Sequence, residues 1–429
     1  MKYKQINSKL FIENRIRFSK HIKPNGLAVF NSNDIMPTNA DGTMKFVQNT
    51  DLFWLSGIDQ EETILLIFPG AKTAEQKEIL FIKETNEEIA IWEGAKLTKE
   101  QAKSVSGIQT IYWLSDFQRI FHQLMCECER VYLNTNEHKR LSNLVENSDM
   151  RFIKWCQSAY PLHKYHRSAP IMHLLRAIKS DIEIDLIRKA CQITEKGFRR
   201  VLQFVKPGVW ENEIEAEFAH EFIRNRSSRF AYSPIIASGF NSCVLHYIEN
   251  NKQCKDGDML LLDVAAEYAN YNSDLTRAIP VSGKYTKRQK DVYNSVLRVM
   301  RAATKMLVPG NSFTEYNKAV GKLMEEELIK LGLLKLADVK KQNPKNPLYK
   351  KYFMHGTSHF LGLDVHDVGD MHRKFEAGMV FTCEPGIYIR EESIGIRIEN
   401  NILITKKTPE DLMKTIPIEI EEIETLMNE

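Results

Sequence analysis

The sequence predicts two domains: an N-terminal α/β domain with a mixed sheet over residues 1–172, and a C-terminal α+β domain over 173–429 with pseudo-two-fold symmetry. Three observations carry this. Short apolar runs bounded by turn residues alternate with helical stretches through the first part of the chain. The pattern then breaks around Pro161 and Pro170. Beyond the break, a helix–helix–strand order occurs twice, and each copy ends in an acid on an apolar strand.

The first domain contains five strand-like runs: LAVFNS (Leu27–Ser32), DLFWLSGI (Asp51–Ile58), ETILLIFPG (Glu62–Gly70), KEILFIK (Lys77–Lys83) and RVYLNT (Arg130–Thr135). Each is short, apolar and closed by turn residues. Between them, Leu114–Glu129 carries helical spacing through Phe117, Ile120, Phe121 and Leu124.

The second half holds a weak internal repeat. Ser180 opens a helix with Glu183 placed for a capping box, and Thr286 opens another with Gln289 in the same role. The two helices end at Pro207-Gly208 and Pro309-Gly310. A second helix follows each, over Glu211–Asn225 and Ser312–Leu331, the latter with Glu315 placed to complete a box. Each copy then has a β-rich segment ending in a histidine, His246 in VLHY and His366 in LDVHD. In GDMLLLDV, Asp263 lies six residues after Gly257; in GMVFTCEP, Glu384 lies six after Gly378. Asp274 follows Asp263 by eleven residues and Glu399 follows Glu384 by fifteen. Those spacings fit a strand, a turn and an antiparallel return strand, with the two carboxylates of each hairpin on one face.

Composition narrows the function. A chain of 429 residues, 43% hydrophobic and 10% aromatic, can fill two cores. The formal charge of +3 is small against 59 basic and 56 acidic residues, and the basic residues are dispersed, so no nucleic-acid partner is expected. The start, MKYKQINSKLFIENR, lacks an apolar stretch of signal-peptide length. No run approaches the roughly 18 apolar residues a membrane helix needs. The seven cysteines are scattered, with Cys126 and Cys128 as an isolated pair, and read as reduced thiols rather than disulfides or zinc ligands. A cytoplasmic enzyme of bacterial type is the expectation.

Five residues look like the ligands of a two-metal site: Asp263, Asp274, His359, Glu384 and Glu399. Asp263 ends an otherwise apolar strand, and an acid there is costly to bury unless paired or metal-bound. Glu384 follows the same logic before a Pro-Gly turn. Taken singly, Asp274 could be a turn former and Glu399 a solvent-facing strand residue. Arg397 alternates with Glu399 and shares its face, while Ile396 and Ile398 point away, so Arg397 can hold a ligand carboxylate in place. His355, His359 and His366 crowd into MHGTSHFLGLDVHD. The central glutamate of H-E-x-x-H is absent, so one histidine is read as a ligand and the others as substrate-facing or supporting groups. Four carboxylates and an imidazole can bind two divalent cations, hold a hydroxide and polarise a carbonyl.

The segments VLHYIENN, LLLDVAAEYANYNSDLTRAIPVSG, MHGTSHFLGLDVHDVG, GMVFTCEPGIYI and GIRIENNILIT resemble those of the pita-bread metallopeptidases, most closely the Xaa-Pro aminopeptidases. The resemblance runs from about Arg176 to the end, with a weaker match in the first domain. It implies a pita-bread catalytic domain behind an N-terminal domain of the creatinase and aminopeptidase P type. It puts Asp263, Asp274, His359, Glu384 and Glu399 on the five ligand positions, with Asp274 and Glu399 bridging. It puts His246 and His366 on substrate-contacting histidines, His355 on an outer histidine, and Arg397 on an arginine tied to the first aspartate. Beyond the resemblance, Glu384 and Glu399 are expected to carry the proton to the leaving nitrogen as well as to bind metal. Trp92, in IWEGAKL, matches a tryptophan that reaches a neighbouring subunit's site, which implies a dimer or tetramer. The implied cofactors are two divalent ions, Mn²⁺ foremost, and the implied substrates are peptides with proline second. Cys383 stands where many relatives carry Val, Asn400 where Asp is common, and the stretch Gly369–Phe375 is short. Two alternatives stand beside this reading: a dipeptidase restricted to Xaa-Pro, and a non-catalytic binding module of the same fold. Tyr247 and Phe360 are offered as candidates for a proline pocket, neither assigned.

Overall fold

The computed structural model describes residues 3–141 and 145–429, which form two compact units, Tyr3–Arg176 and Ala177–Glu429. The first unit is built on strands β1 (Gly26–Asn31), β2 (Ile64–Ile67), β3 (Glu78–Ile82), β4 (Thr110–Trp113), β5 (Arg130–Leu133) and β6 (Lys164–Arg167). They order as β4-β3-β2-β1-β5-β6. β2 is antiparallel to β1 and β3, while β3–β4, β1–β5 and β5–β6 run parallel, so the sheet is mixed. One face, through Val29, Leu66, Phe81 and Val131, is covered by Phe117, Phe121 and Leu124 of the helix Phe117–Met125. Phe81 meets Phe117 edge-on, with ring centroids 5.2 Å apart.

One expectation is corrected here. DLFWLSGI is not a strand; Thr50–Ser56 is a helix. Asn49 accepts hydrogen bonds from the peptide N–H groups of Asp51 and Leu52, and Gly57 closes the helix at φ +70°. Leu52–Ser56 are all buried, so the run shows no polar face by which its period could be read. β4 and β6 were not foreseen.

The second unit contains the repeat. Its helix pairs are Asp181–Phe204 with Glu211–Arg224, and Lys287–Thr304 with Phe313–Lys330. Capping boxes form at Ser180/Glu183 and Thr286/Gln289. At Ser312 the hydroxyl accepts from the Glu315 N–H and donates to its carboxylate, but the Ser312 N–H goes to Asn311, so the box stays incomplete. The strands are β7 (Ile235–Ser238), β8 (Met259–Asp263), β9 (Glu267–Tyr268), β10 (Tyr271–Asn272), β11 (Thr276–Pro280), β12 (Val380–Cys383), β13 (Gly386–Ile389), β14 (Ile394–Arg397), β15 (Asn400–Leu403) and β16 (Glu410–Asp411). β8 pairs antiparallel with β11 around the inner hairpin β9–β10. β12 pairs antiparallel with β15 around the inner hairpin β13–β14. The halves touch where Thr276 bridges Glu399, whose N–H donates to the Thr276 carbonyl at 3.0 Å. This is the pseudo-two-fold arrangement. It puts Asp263 at the end of β8, Glu384 just past β12, Asp274 just before β11 and Glu399 just before β15.

The two loop histidines differ from expectation. His246 follows a 3₁₀ turn, Gly239–Cys243, and His366 sits in an irregular loop, so neither ends a strand. β14 presses on that turn: a Cβ on Gly395 would lie 2.0 Å from the Ser242 carbonyl oxygen, a backbone atom that cannot swing away. Gly395→Ala should therefore cost about 1–3 kcal/mol of stability, read as a lowered thermal midpoint; an unchanged midpoint would mean the turn yields freely.

Candidate metal centre

Three of the predicted ligands converge tightly. Ligand atoms of Asp274, His359 and Glu399 all lie within 4.8 Å of one another, and all three residues are buried. His359 Nε2 is 3.4 Å from Asp274 Oδ2 and 3.6 Å from Glu384 Oε1, which brings the fourth residue in. Asp263 is held alongside: Arg397 donates to its Oδ2 and the Tyr232 hydroxyl to its Oδ1, each at 2.5 Å. His359 Nδ1 lies 2.9 Å from the Phe360 carbonyl oxygen. A carbonyl only accepts, so Nδ1 carries a proton, and Nε2 is the ring atom that faces the carboxylates and would bind a metal in place of its own proton.

The supporting shell is dense. Arg397, as expected, reaches Asp263; it also donates to Thr276 Oγ1 at 3.0 Å and to the Tyr388 hydroxyl at 2.8 Å. Thr276 Oγ1 donates in turn to Glu399 Oε2 at 2.6 Å. The Asn401 carboxamide accepts from the Asp274 N–H at 3.0 Å and donates to the Asp274 carbonyl at 2.7 Å. Buried Arg277 donates to the Glu399 carbonyl at 2.8 Å. His355 Nε2 sits 2.8 Å from the Tyr388 hydroxyl, and its Nδ1 is 3.8 Å from Glu384. The His366 ring lies edge-on to His359, centroids 4.4 Å apart. His246 is exposed.

Sequence reasoning missed Tyr232, Thr276, Arg277, Tyr388 and Asn401. Thr276 and Arg277 follow Asp274 closely and Asn401 adjoins Asn400 and Glu399, but nothing in their residue types marks them. The two pocket candidates turn out to be structural. Tyr247 is buried with its hydroxyl donating to Glu211 at 2.7 Å, and Phe360 meets Phe381 edge-on in the core, ring centroids 4.8 Å apart. Trp92, by contrast, is 85% exposed.

The charges do not balance internally. Burial pushes the Glu399 carboxyl well above its ordinary range, with Asp274, Glu384 and Asp263 adding to it. Burial raises Asp263 too, against the pull of Arg397. Glu384 is pushed up to about 7, by burial first, with His359 and Arg397 opposing. Burial works against a charged His359, yet its hydrogen bond to Asp274 and the charge of Glu384 prevail and raise it. Burial and Arg397 together lower His355 to about 4. Two like charges about 4 Å apart repel by about 4 kcal/mol at an effective dielectric of about 20. An oxygen-rich, negatively charged cluster with one imidazole suits hard or borderline divalent cations, so the donor set fits a metal.

Such a centre defines a metal-assisted hydrolase. The profile of metallopeptidase family M24 matches residues 185–406, and that of the aminopeptidase P N-terminal domain matches 11–132. The chain belongs to metallopeptidase family M24, and it is a metalloaminopeptidase of two-domain architecture. It is 34% identical to the Xaa-Pro aminopeptidase of Haemophilus influenzae, over 97% of each chain. It is 33% identical to the Xaa-Pro aminopeptidase of Escherichia coli, over 99% of this chain and 98% of the relative. Among solved structures, zinc-substituted E. coli aminopeptidase P in complex with product superposes with a TM-score of 0.89 at 31% identity, over 99% of each chain.

The raised Glu384 carboxyl gives a signed test. In the metal-free protein its folded value, about 7, exceeds the ordinary 4.5, so the folded state prefers the protonated acid. That preference is fully present below about 4.5 and is lost as pH rises through about 7. Glu384→Gln should therefore stabilise metal-free protein increasingly over that window, by about 2–3 kcal/mol at pH 8. A stability gap that stays constant with pH would show that Glu384 carries no such burden.

Proposed function

We propose that this chain is a dinuclear aminopeptidase that hydrolyses the N-terminal Xaa-Pro bond of peptides. The observation that supports this most is similarity across the whole length of Xaa-Pro aminopeptidases, joined to a candidate centre in which Asp274, His359 and Glu399 converge within 4.8 Å and Glu384 lies 3.6 Å from His359. Asp263, Asp274, His359, Glu384 and Glu399 are the residues that would hold the metal. Bound divalent cations, Mn²⁺ by preference, would polarise the scissile carbonyl and make water nucleophilic near neutral pH. The residues supply the rest. His246 and His366 donate to the carbonyl oxygen as it gains charge. Glu384 is proposed to carry a proton to the leaving nitrogen as well as to bind metal. Arg397 fixes Asp263, and neutral His355 orients the Tyr388 hydroxyl that meets Arg397.

A Xaa-Pro bond is a tertiary amide without an N–H, so a peptidase that depends on that donor fails on it. Proline preference and peptide length form the finer part of the proposal, and the dipeptidase reading differs only there. The proposed catalytic division is 173–429 behind a domain of 1–172, set within the helix Ala169–Arg176 that closes the first unit. Exposed Ile91 and Trp92 on the helix Glu87–Glu93, 79% and 85% accessible, support assembly into a dimer or tetramer. A monomer mass by light scattering at micromolar concentration would remove that. All seven cysteines are free, which fits the proposed cytoplasmic setting. No helix among the described residues is long and apolar enough to cross a membrane.

The substrate test compares Ala-Pro-Ala, Ala-Ala-Ala and Ala-Pro at equal concentration with Mn²⁺ added. Ala-Pro-Ala should be cleaved fastest, by about 10²-fold or more over Ala-Ala-Ala. Rapid cleavage of Ala-Ala-Ala without preference would remove the proline assignment. Cleavage of Ala-Pro alone would give the dipeptidase instead.

A further inference from the structure

Lys179 and Asp367 form an ion pair that the chemistry above does not use. Lys179 Nζ donates to Asp367 Oδ2 at 2.9 Å, and each side chain is only 1% exposed. Burying two charges carries a desolvation cost that their attraction often only offsets, and an apolar pair of similar size is commonly as stable. Stability is therefore a weak reason for this pair. Its position suggests another.

Asp367 closes the loop that begins at His359. Its N–H donates to the Phe360 carbonyl at 2.9 Å, and the Gly362 N–H donates to the Asp364 carbonyl at 3.1 Å. Asn272, two residues before Asp274, donates through its N–H to the Gly362 carbonyl and through Nδ2 to the Leu363 carbonyl, each at 2.8 Å. His366 and Asp367 are consecutive, the first exposed and beside His359, the second turned into the interior. Holding Asp367 thus fixes where His366 projects. Gly362 makes the room: a Cβ there would lie 2.2 Å from Asp367 Oδ2 and 2.9 Å from Lys179 Cε. Lys179 is itself anchored, its N–H donating to the Gly378 carbonyl at 2.9 Å. Lys179 lies outside the matched segment 185–406, whereas the loop lies inside it.

We propose that Lys179 is a positioning residue for His366, acting through Asp367 to hold the loop 359–367 in its working shape. This rests on the substrate role assigned to His366 above. Lys179 touches no reacting atom; it sets the direction from which the imidazole meets the substrate.

The test is a charge-removing swap, Lys179→Met/Asp367→Leu, made in the wild-type and His366→Ala backgrounds of the full chain loaded with Mn²⁺. The swap should keep the thermal midpoint and metal content, while backbone amide exchange across 360–368 quickens by about tenfold or more. With the peptide that the wild-type enzyme cleaves, kcat should fall by about tenfold with KM little changed, and in the His366→Ala background the same swap should cost less than about twofold. An equal loss in both backgrounds would overturn the proposal, because Lys179 would then act independently of His366. Unchanged exchange at 360–368 would overturn it without reference to any substrate. Loss of proline preference in the wild-type enzyme would count against the proposed function and leave both readouts intact. Should the swap not fold, Lys179→Arg keeps the charge and displaces Asp367. It should show the same pattern in smaller measure, and wild-type exchange and kcat in that variant would overturn the proposal.

Discussion

The structure of the second unit is organised around one electrostatic constraint: three carboxylates gathered within reach of one imidazole, with Asp263 adding a fourth charge nearby. Asp274 and Glu399 come from opposite halves, and their ligand atoms meet that of His359 within 4.8 Å. Buried Arg397 reaches a carboxylate of the set, that of Asp263, while buried Arg277 reaches only the Glu399 backbone carbonyl. The rise of Asp263, Glu384 and Glu399 above ordinary carboxylate values states the same deficit in protons. Positive charge from outside the chain is what this cluster lacks, and divalent cations supply it in the form the donors suit.

The fold meets that constraint by symmetry. Each half offers one strand-end acid and one acid just before a return strand, separated by an inner hairpin. The halves are locked at Thr276 and Glu399, where a backbone bond and a side-chain bond coincide. Thr276 Oγ1 accepts from Arg397 and donates to Glu399, so one hydroxyl relays the order of the cation to an acid of the other hairpin. Asn401 repeats the device in reverse, clamping the Asp274 backbone from the strand that follows Glu399. Rigid placement of this kind lets substrate meet preformed donors rather than assemble them.

What the sequence made legible follows from this. Asp263 and Glu384 stand out because an acid at the end of a buried apolar strand needs a reason. The repeat was visible because capping boxes and Pro-Gly stops have local signatures, and these formed at Ser180 and Thr286. Arg397 was reachable through strand alternation. The rest depends on contacts between residues far apart in the chain. Asn401 meets Asp274 across 127 positions and Lys179 meets Asp367 across 188, and no local pattern reports such pairs. The helix Thr50–Ser56 was misread for a different reason: burial on all sides erased its period, although Asn49 and Gly57 carried the end signals. Tyr247 and Phe360 adjoin key histidines in sequence, yet one is tied to Glu211 and the other to Phe381.

The most direct test of the charge argument is metal content, measured by elemental analysis after dialysis, for the wild-type chain and Asp274→Ala. Asp274 is grouped with both His359 and Glu399, so its loss removes a carboxylate from the middle of the proposed donor set. The account predicts two divalent ions per wild-type chain and loss of metal together with turnover in the variant. A variant that retains two ions and full activity would contradict it.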